Sequence, residues 1–373
     1  MTDKYLIDSH KYHLHPGHAA NVINYLQNPD DEECRQSYKR QHPLYIEVSP
    51  VGACNHRCTF CAVDYIGYKS IFMDIKSYKA SIDSMKGKGC KSIMFAGEGE
   101  PLLHPEINEM VEYTKESGGI DVSFTTNAVK LNDTFIEKSL RYSSWIKVSF
   151  NGGDEESYST IHRTKKDDYH KVLDNIRKAV DYKKKHGLNT AIGLQTLLLP
   201  ENIDSIPNLC NTCKELGVDY VVIKPYSQHK MSNTTQYSNI DYSQYLDLGD
   251  TLKKYNTKEF NVVFRINTIK NWISQNEDRY CKCMATPSTW AYIMADGDVY
   301  TCSAYLLDER FRLGNINELN FDQIWNSEKR LEHSNYILNE LDINECRVNC
   351  RMDQINRYID KIVNNKADHV NFI

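Results

Sequence analysis

A long apolar run is the first thing this sequence lacks. No uncharged hydrophobic stretch approaches the ~20 residues that a bilayer-spanning helix needs. The amino-terminal stretch MTDKYLIDSHKYHLHPGH has no hydrophobic core region, so it is not a secretory signal. An excess of basic charge is missing too: 45 Lys and Arg stand against 50 Asp and Glu, a formal net charge of −5. A phosphate-backbone partner favours a basic face. We therefore expect no nucleic acid and no membrane among the partners, and a cytoplasmic location. Internal repeats and low-complexity tracts are absent, which excludes solenoids and repeat arrays.

Cysteine, by contrast, is abundant: 12 in 373 residues. In an unexported chain this points to metal ligation or catalysis rather than to disulfides. The positions are clustered. Cys54, Cys58 and Cys61 form one group; Cys281, Cys283 and Cys302 with Cys346 and Cys350 form another. Cys210 and Cys213 sit three apart in a helical pattern and read as a buried face. Cys34 and Cys90 carry no expected chemistry.

Short β-branched runs at 44–50, 91–97, 120–127, 145–152, 190–199 and 219–225 alternate with helical patterns. That alternation predicts βαβ units, a parallel sheet and an α/β barrel, with chemistry at the carboxyl ends of the strands. The expected organisation is an extension over 1–42, a six-unit (β/α)6 barrel over 43–230, and a connecting segment over 231–280 containing the strand-like NVVFRIN. The second cysteine group occupies 281–351, and an amphipathic helix and tail fill 352–373. The apolar tail HVNFI is expected to fold back over the barrel mouth.

The stretch CNHRCTFC over 54–61 sets the functional question. Zinc fingers pair Cys-x-x-Cys with a second distant pair, which this spacing does not match. Three thiolates on one short loop can hold three corners of a [4Fe–4S] cube and leave the fourth iron open. Cys54-x-x-x-Cys58-x-Phe60-Cys61 after a first strand resembles the signature of radical S-adenosylmethionine (radical SAM) enzymes. The resemblance implies a partial TIM-like barrel. It also implies that SAM chelates the open iron, accepts one electron and yields a 5′-deoxyadenosyl radical that takes a hydrogen atom from substrate. GEGEP over 97–101 resembles the family's GGEP-type motif, so Gly97, Glu98, Gly99 and Glu100 are expected at the SAM ammonium. Ser149 and Asn151 match a Ser-x-Asp/Asn pair that contacts SAM, and Arg163 an arginine that pairs with its carboxylate. Phe60 completes the cofactor set. Thr126, Asn127, Gln195, Lys224, Pro225 and Tyr226 also end or line strands and could face the pocket.

Cys283, Gly297, Cys302 and the pair Cys346 and Cys350 resemble the SPASM/Twitch extension of these enzymes. AYIMADGDVYTCSAY reads as a hairpin with an Asp-Gly turn, and GNINELNFDQIW resembles a stretch of the same extension. The resemblance implies a second, auxiliary [4Fe–4S] cluster held by Cys283, Cys302, Cys346 and Cys350, in the shorter Twitch form. Cys281 lies at a spacing that also fits; Cys283 is favoured, which leaves Cys281 as a free thiol and a candidate hydrogen donor.

A second cluster able to accept an electron favours oxidation of a substrate radical. The sequence therefore leads us to expect an oxidoreductase or epimerase acting on a small polar molecule: a sugar, aminosugar or sugar nucleotide. Electrons would come from a flavodoxin- or ferredoxin-type donor. A peptide maturase is the alternative, although 42 residues before the first strand are few for a leader-binding domain. A non-catalytic iron–sulfur carrier would not need GEGEP.

Overall fold

The computed structural model describes residues 4–274, 279–364 and 368–370. Its centre is one ten-stranded sheet. The strands are β1 (Tyr45–Val48), β2 (Ser92–Phe95), β3 (Asp121–Thr126), β4 (Ser143–Ser149), β5 (Ala191–Leu198), β6 (Tyr220–Pro225), β7 (Asn261–Phe264), β8 (Trp290–Ile293), β9 (Asp298–Tyr300) and β10 (Arg312–Asn315). Their order is β10-β9-β8-β1-β2-β3-β4-β5-β6-β7. Strands β1 to β7 run parallel in sequence order, and β8 adds parallel to β1 on the other side. The pairs β8–β9 and β9–β10 are antiparallel, with the Asp-Gly turn at Gly297, whose φ of +91° suits glycine.

The six expected strands are all present. NVVFRIN supplies a seventh through β7, and the segment with the second cysteine group contributes β8 to the same sheet. Residues from 261 to 293 thus extend both edges of the barrel rather than standing apart from it.

Period-two alternation sorts the two faces of the sheet. Ile46, Val48, Ile93, Phe95, Val122, Phe124, Ile146, Val148, Ile192, Leu194, Val221 and Ile223 face outward and are completely buried beneath the helices. A Val or Ile side chain so placed contributes ~1.5–3 kcal/mol each before entropy is subtracted. The helices are bounded by ordinary signals. Asp74, Asn132 and Asp154 accept the capping N–H of Ser77, Phe135 and Ser157, and Gly187 ends the helix Asp167–His186 at φ +61°.

The inner face differs. Near its floor, Tyr5 and Ile7 pack with Trp145, Ala191, Tyr220, Val222 and Val263. Above them the face is polar. The helices Pro16–Gln27 and Glu32–Arg40 build a second core with β8, β9 and the helix Asp353–Val363. Arg330 ties it together: wholly buried, it donates to the carbonyls of Trp325, Pro287, Tyr38 and Lys39. No helix among the described residues is long and apolar enough to cross a membrane. Of the tail HVNFI, residues 371–373 lie outside the described residues.

Candidate active site

The loop after β1 carries Cys54, Cys58 and Cys61 to the carboxyl edge of the sheet. It is moored to the end of the helix Glu155–His162: the Arg57 N–H donates to His162 O at 3.2 Å, and the Thr59 N–H to Ile161 O at 2.8 Å. Thr59 Oγ1 donates to Ile161 O at 3.2 Å. Arg57 Nη1 donates to the carbonyls of Cys54 (2.6 Å) and His56 (2.7 Å), and its guanidinium lies 4.1 Å from the Tyr68 ring. The turn that presents the thiols is thus braced at its middle.

His162 Nδ1 sits 3.2 Å from Cys58 Sγ. The Asn151 N–H donates to His162 Nε2 at 3.1 Å, so Nε2 is the acceptor and Nδ1 carries the proton. Burial and the neighbouring His56 hold His162 well below the usual imidazole range, so the ring is neutral with one tautomer. Cys58 therefore receives an N–H from His162. His56, His162 and Cys58 lie close enough to hold one ion among the described residues. His56 is instead committed to Asp168, at 3.4 Å.

Arg163, the expected carboxylate partner, is exposed and adopts a left-handed φ of 45° just past that helix. The inward side chain of the IHRT stretch is His162, one position earlier. Asn151 is buried, with Oδ1 accepting from the Leu197 N–H at 2.7 Å and Nδ2 near His162 Nε2. It ties β4 to β5 and orients the imidazole. Ser149 is half-buried at the end of β4. Phe60 lies edge-on to His162, 5.9 Å between ring centres.

GEGEP closes β2 against the loop after β1. A Cβ on Gly97, at φ +112°, would lie 2.5 Å from Ser49 Cβ and Tyr292 Oη, and one on Gly99 would strike the carbonyls of Val51 and Ala53. Only glycine permits that approach. Glu100 is buried and fully engaged: Oε1 accepts from Thr126 Oγ1 (2.5 Å) and the Leu102 N–H (3.1 Å), Oε2 from the Asn127 N–H (2.7 Å). Glu98 turns the other way, toward β8. Its Oε1 accepts the Ala295 N–H at 2.9 Å, while Oε2 is buried without a partner. Burial raises its carboxyl to about 7.

Four thiols of the second group lie near one another. Cys302 senses Cys350, Cys283 and Cys346 electrostatically, and Cys350 senses Cys283. Cys283 Sγ lies 3.2 Å from Thr286 Oγ1, the Met352 N–H donates to Cys350 Sγ at 3.3 Å, and Tyr305 Oη lies 3.6 Å from Cys346 Sγ. Cys281 is exposed, beside Arg279 and Asn344 in a surface pocket. Cys346 lines the same pocket, while Cys281 itself is exposed.

Both sets of thiols fit iron–sulfur clusters. Burial pushes Cys54 up to about 12 and raises Cys58, Cys61, Cys283, Cys302, Cys346 and Cys350 in the same direction. Thiols so held become thiolates when a bound cation supplies the missing charge.

One segment joins the two groups. Ser232 Oγ donates to Cys61 O at 2.9 Å, and Ser227 Oγ to Val348 O at 2.6 Å, between Cys346 and Cys350. Tyr65, four residues after Cys61, stacks on His229 at 5.6 Å and donates to Leu306 O at 3.5 Å, four residues after Cys302. Sequence reasoning missed this bridge, together with His162, Lys147, Arg347 and Arg351. For Lys147 a signal existed: in WIKVSFN it alternates with the outward Ile146 and Val148, so it must point inward.

A model of the Radical SAM superfamily matches residues 48–213, and a model of an iron–sulfur cluster-binding domain, SPASM, matches residues 281–351. A GTP 3′,8-cyclase of Chlorobaculum tepidum is 31% identical over 200 residues, 52% of this chain and 57% of the cyclase. The match thus spans little more than half of that relative. A tungsten-containing aldehyde ferredoxin oxidoreductase cofactor-modifying protein of Pyrococcus furiosus is 25% identical over 301 residues, 77% of this chain and 81% of that protein. Among solved structures, Streptococcus suis SuiB bound to precursor peptide SuiA gives a TM-score of 0.62 at 18% identity, covering 80% of this chain and 70% of SuiB. Native anSMEcpe with bound AdoMet gives 0.56 at 18% identity, covering 87% and 100%. At these identities the structural likeness speaks for the fold.

Proposed function

The chain belongs to the radical SAM superfamily, with an iron–sulfur cluster-binding domain at residues 281–351, and from that premise we propose that it oxidises a small polar substrate held inside the barrel. It is an enzyme whose cofactors are SAM, a SAM-binding [4Fe–4S] cluster and an auxiliary iron–sulfur cluster. When bound, the first cluster and SAM supply the radical that removes a hydrogen atom from substrate. Cys54, Cys58 and Cys61 would hold the first cluster, with His162 donating to Cys58. Cys283, Cys302, Cys346 and Cys350 would hold the auxiliary one.

The single observation that carries the oxidative reading is the bridge of residues 227–232, hydrogen-bonded to the Cys61 loop at one end and to Val348 at the other. It ties the Cys61 loop to the loop carrying Cys346 and Cys350, and His229 within it stacks on Tyr65. An electron leaving a substrate radical thereby has a nearby acceptor. The substrate class is not inherited from the relatives, whose names speak of a nucleotide, a cofactor-modifying protein and a precursor peptide. The sequence-based expectation of a sugar therefore stands or falls on the cavity itself.

The test is anaerobic reconstitution with counts of iron and sulfide per chain, followed by an assay of 5′-deoxyadenosine release with dithionite as reductant. The wild type is expected to hold about eight irons and cleave SAM. The Cys54/Cys58/Cys61→Ala triple variant is expected to keep about four and cleave none. A wild type with four irons and no cleavage would overturn the proposal.

A further inference from the structure

The inner face of the sheet carries more positive charge than it neutralises. Lys147 points inward from β4 and Lys224 from β6, each on the opposite side of its strand from the apolar Ile146, Val148, Val221 and Ile223. Arg265 follows β7 at the level of Lys224, and Arg347 and Arg351 descend from the loop that bears Cys346 and Cys350. Arg351 pairs with Glu47 of β1, donates to Tyr45 Oη at 2.8 Å and lies 5.3 Å from the Trp290 ring. Arg265 pairs with Asp8 at 3.2 Å. Among the described residues, no carboxylate reaches salt-bridge distance of Lys147, Lys224 or Arg347. Of the five cations, Arg265 and Arg351 have carboxylate partners, Arg347 lies near the Cys350 thiol, and Lys147 and Lys224 have no carboxylate at salt-bridge distance among the described residues.

Such an arrangement is costly for folding alone. Burial, then Arg351, pushes Lys147 down to about 8; burial, then Lys147 and three arginines, pushes Lys224 well below its usual range. A structural role would have been served by leucine or methionine at lower cost. Unbalanced cations on the inner face are understandable when the missing anion arrives with a ligand. A single carboxylate would leave most of the excess charge in place, whereas a diphosphate matches it.

We propose that the inner face of the sheet, where Lys147, Lys224, Arg265, Arg347 and Arg351 converge, binds the phosphate groups of a small substrate, a nucleotide or another diphosphate ester. The inference rests on the reaction proposed above for the identity of this ligand as substrate, but the binding itself is independent of it. The phosphates lie on the inner face below the carboxyl edge, which leaves the rest of the molecule toward the Cys54–Cys61 loop. Arg351, oriented by Glu47 and Tyr45, is the fork suited to phosphate oxygens. Lys147 and Lys224 act as point charges.

The test is calorimetric titration of the reconstituted holoenzyme, kept anaerobic, with inorganic pyrophosphate and, separately, with propane-1,2,3-tricarboxylate. Variants Lys147→Gln and Lys224→Gln are compared with the exposed Lys171→Gln, and circular dichroism checks folding. Pyrophosphate is expected to bind wild type and Lys171→Gln alike, and each inner variant about tenfold or more weaker, as for loss of one charge-assisted contact. Where an inner glutamine variant fails to fold, Lys147→Arg and Lys224→Arg keep the charge and are expected to retain binding. Equal binding by wild type and the inner variants, no binding by wild type, or preference for the tricarboxylate overturns the proposal; the last would indicate an acidic peptide or polycarboxylate. SAM cleavage by wild type is read in parallel. Its loss counts against the radical reaction and leaves the anion site standing, so the two failures are told apart.

Discussion

Replacing His162 separates its two hydrogen bonds. Its Nδ1–H donates to Cys58 Sγ at 3.2 Å, and its Nε2 accepts the Asn151 N–H at 3.1 Å. In asparagine the side-chain amide falls near the Nδ1 position, and in glutamine near the Nε2 position. His162→Asn therefore keeps a donor at Cys58 and abandons Asn151. His162→Gln keeps an acceptor for Asn151 and leaves Cys58 without its donor. A hydrogen bond to a charged group contributes ~1.5–3 kcal/mol. A donor at a cluster sulfur favours the more negative, reduced state. If about half of ~2 kcal/mol distinguishes the two states, the one-electron potential falls by about 40 mV without it, since 59 mV corresponds to a factor of ten. The assay is potentiometric titration of reconstituted enzyme followed by EPR, using the signal that responds to added SAM. His162→Gln is expected to lie about 40 mV below wild type, with His162→Asn unchanged within error. Equal shifts in both, or none in His162→Gln, would refute the assignment of Nδ1 as donor. Loss of iron from both variants but not from wild type would mean that His162 holds the loop mechanically and tunes nothing.

Other expectations follow from single residues. Arg330→Met strands four backbone carbonyls in a dry site and should lower stability to urea by about 3–5 kcal/mol, with Arg330→Lys recovering only part; a loss below ~1 kcal/mol would remove Arg330 from its tying role. Cys283→Ser should cost the auxiliary cluster its iron while Cys281→Ser keeps the full count, because Cys283 is half-buried and feels the charges of Cys346 and Cys302 whereas Cys281 is exposed; the reverse result would exchange their roles. Glu98 couples stability to pH. Its carboxyl is raised from 4.5 to about 7 by burial, with Asp296 adding to the rise and the Ala295 N–H and Lys69 opposing it. Between those values the folded state holds a proton that the unfolded state has released, so stability falls as pH rises, by about 3 kcal/mol in all, and levels off above 7. Denaturation midpoints at several pH values should show that slope in wild type and lose it in Glu98→Gln; an unchanged slope in the variant would assign it to another group.

What the sequence disclosed was local. The spacing of Cys54, Cys58 and Cys61, the glycines of GEGEP and the period-two runs each act within a few residues, so they are visible one stretch at a time. The six parallel strands and the iron–sulfur domain around the second cysteine group were legible for that reason. The place of two further strands in the same sheet was not. β7 and β8 are ordinary four-residue runs, and only pairing with β6 and β1, 41 and 245 residues away at Asn261↔Tyr220 and Trp290↔Tyr45, makes them part of the barrel. The end of the helix Glu155–His162 shows a complementary limit. Sequence position alone cannot say which of two neighbours at a helix end turns inward: His162 meets Cys58, while Arg163 takes a left-handed φ and is exposed.

The inner cations were hidden by a different physics. A lysine in a strand usually reads as a solvent-facing residue, because burying its charge is expensive. Lys147 and Lys224 break that rule together, from strands separated by β5, and they face Arg351, itself brought in by a loop more than 120 residues further along. No one of these residues is informative by itself. Their coincidence on one face is the signal, because independent placement of buried cations without carboxylates would be removed by its cost to folding. A sheet that keeps an apolar exterior for its helices and reserves a positive interior has separated stability from binding. The outer residues hold the barrel whatever occupies it, which leaves the inner row free to match a ligand's charge. The open question of substrate is therefore best approached through charge: a ligand that neutralises the inner row should bind before any radical chemistry is attempted.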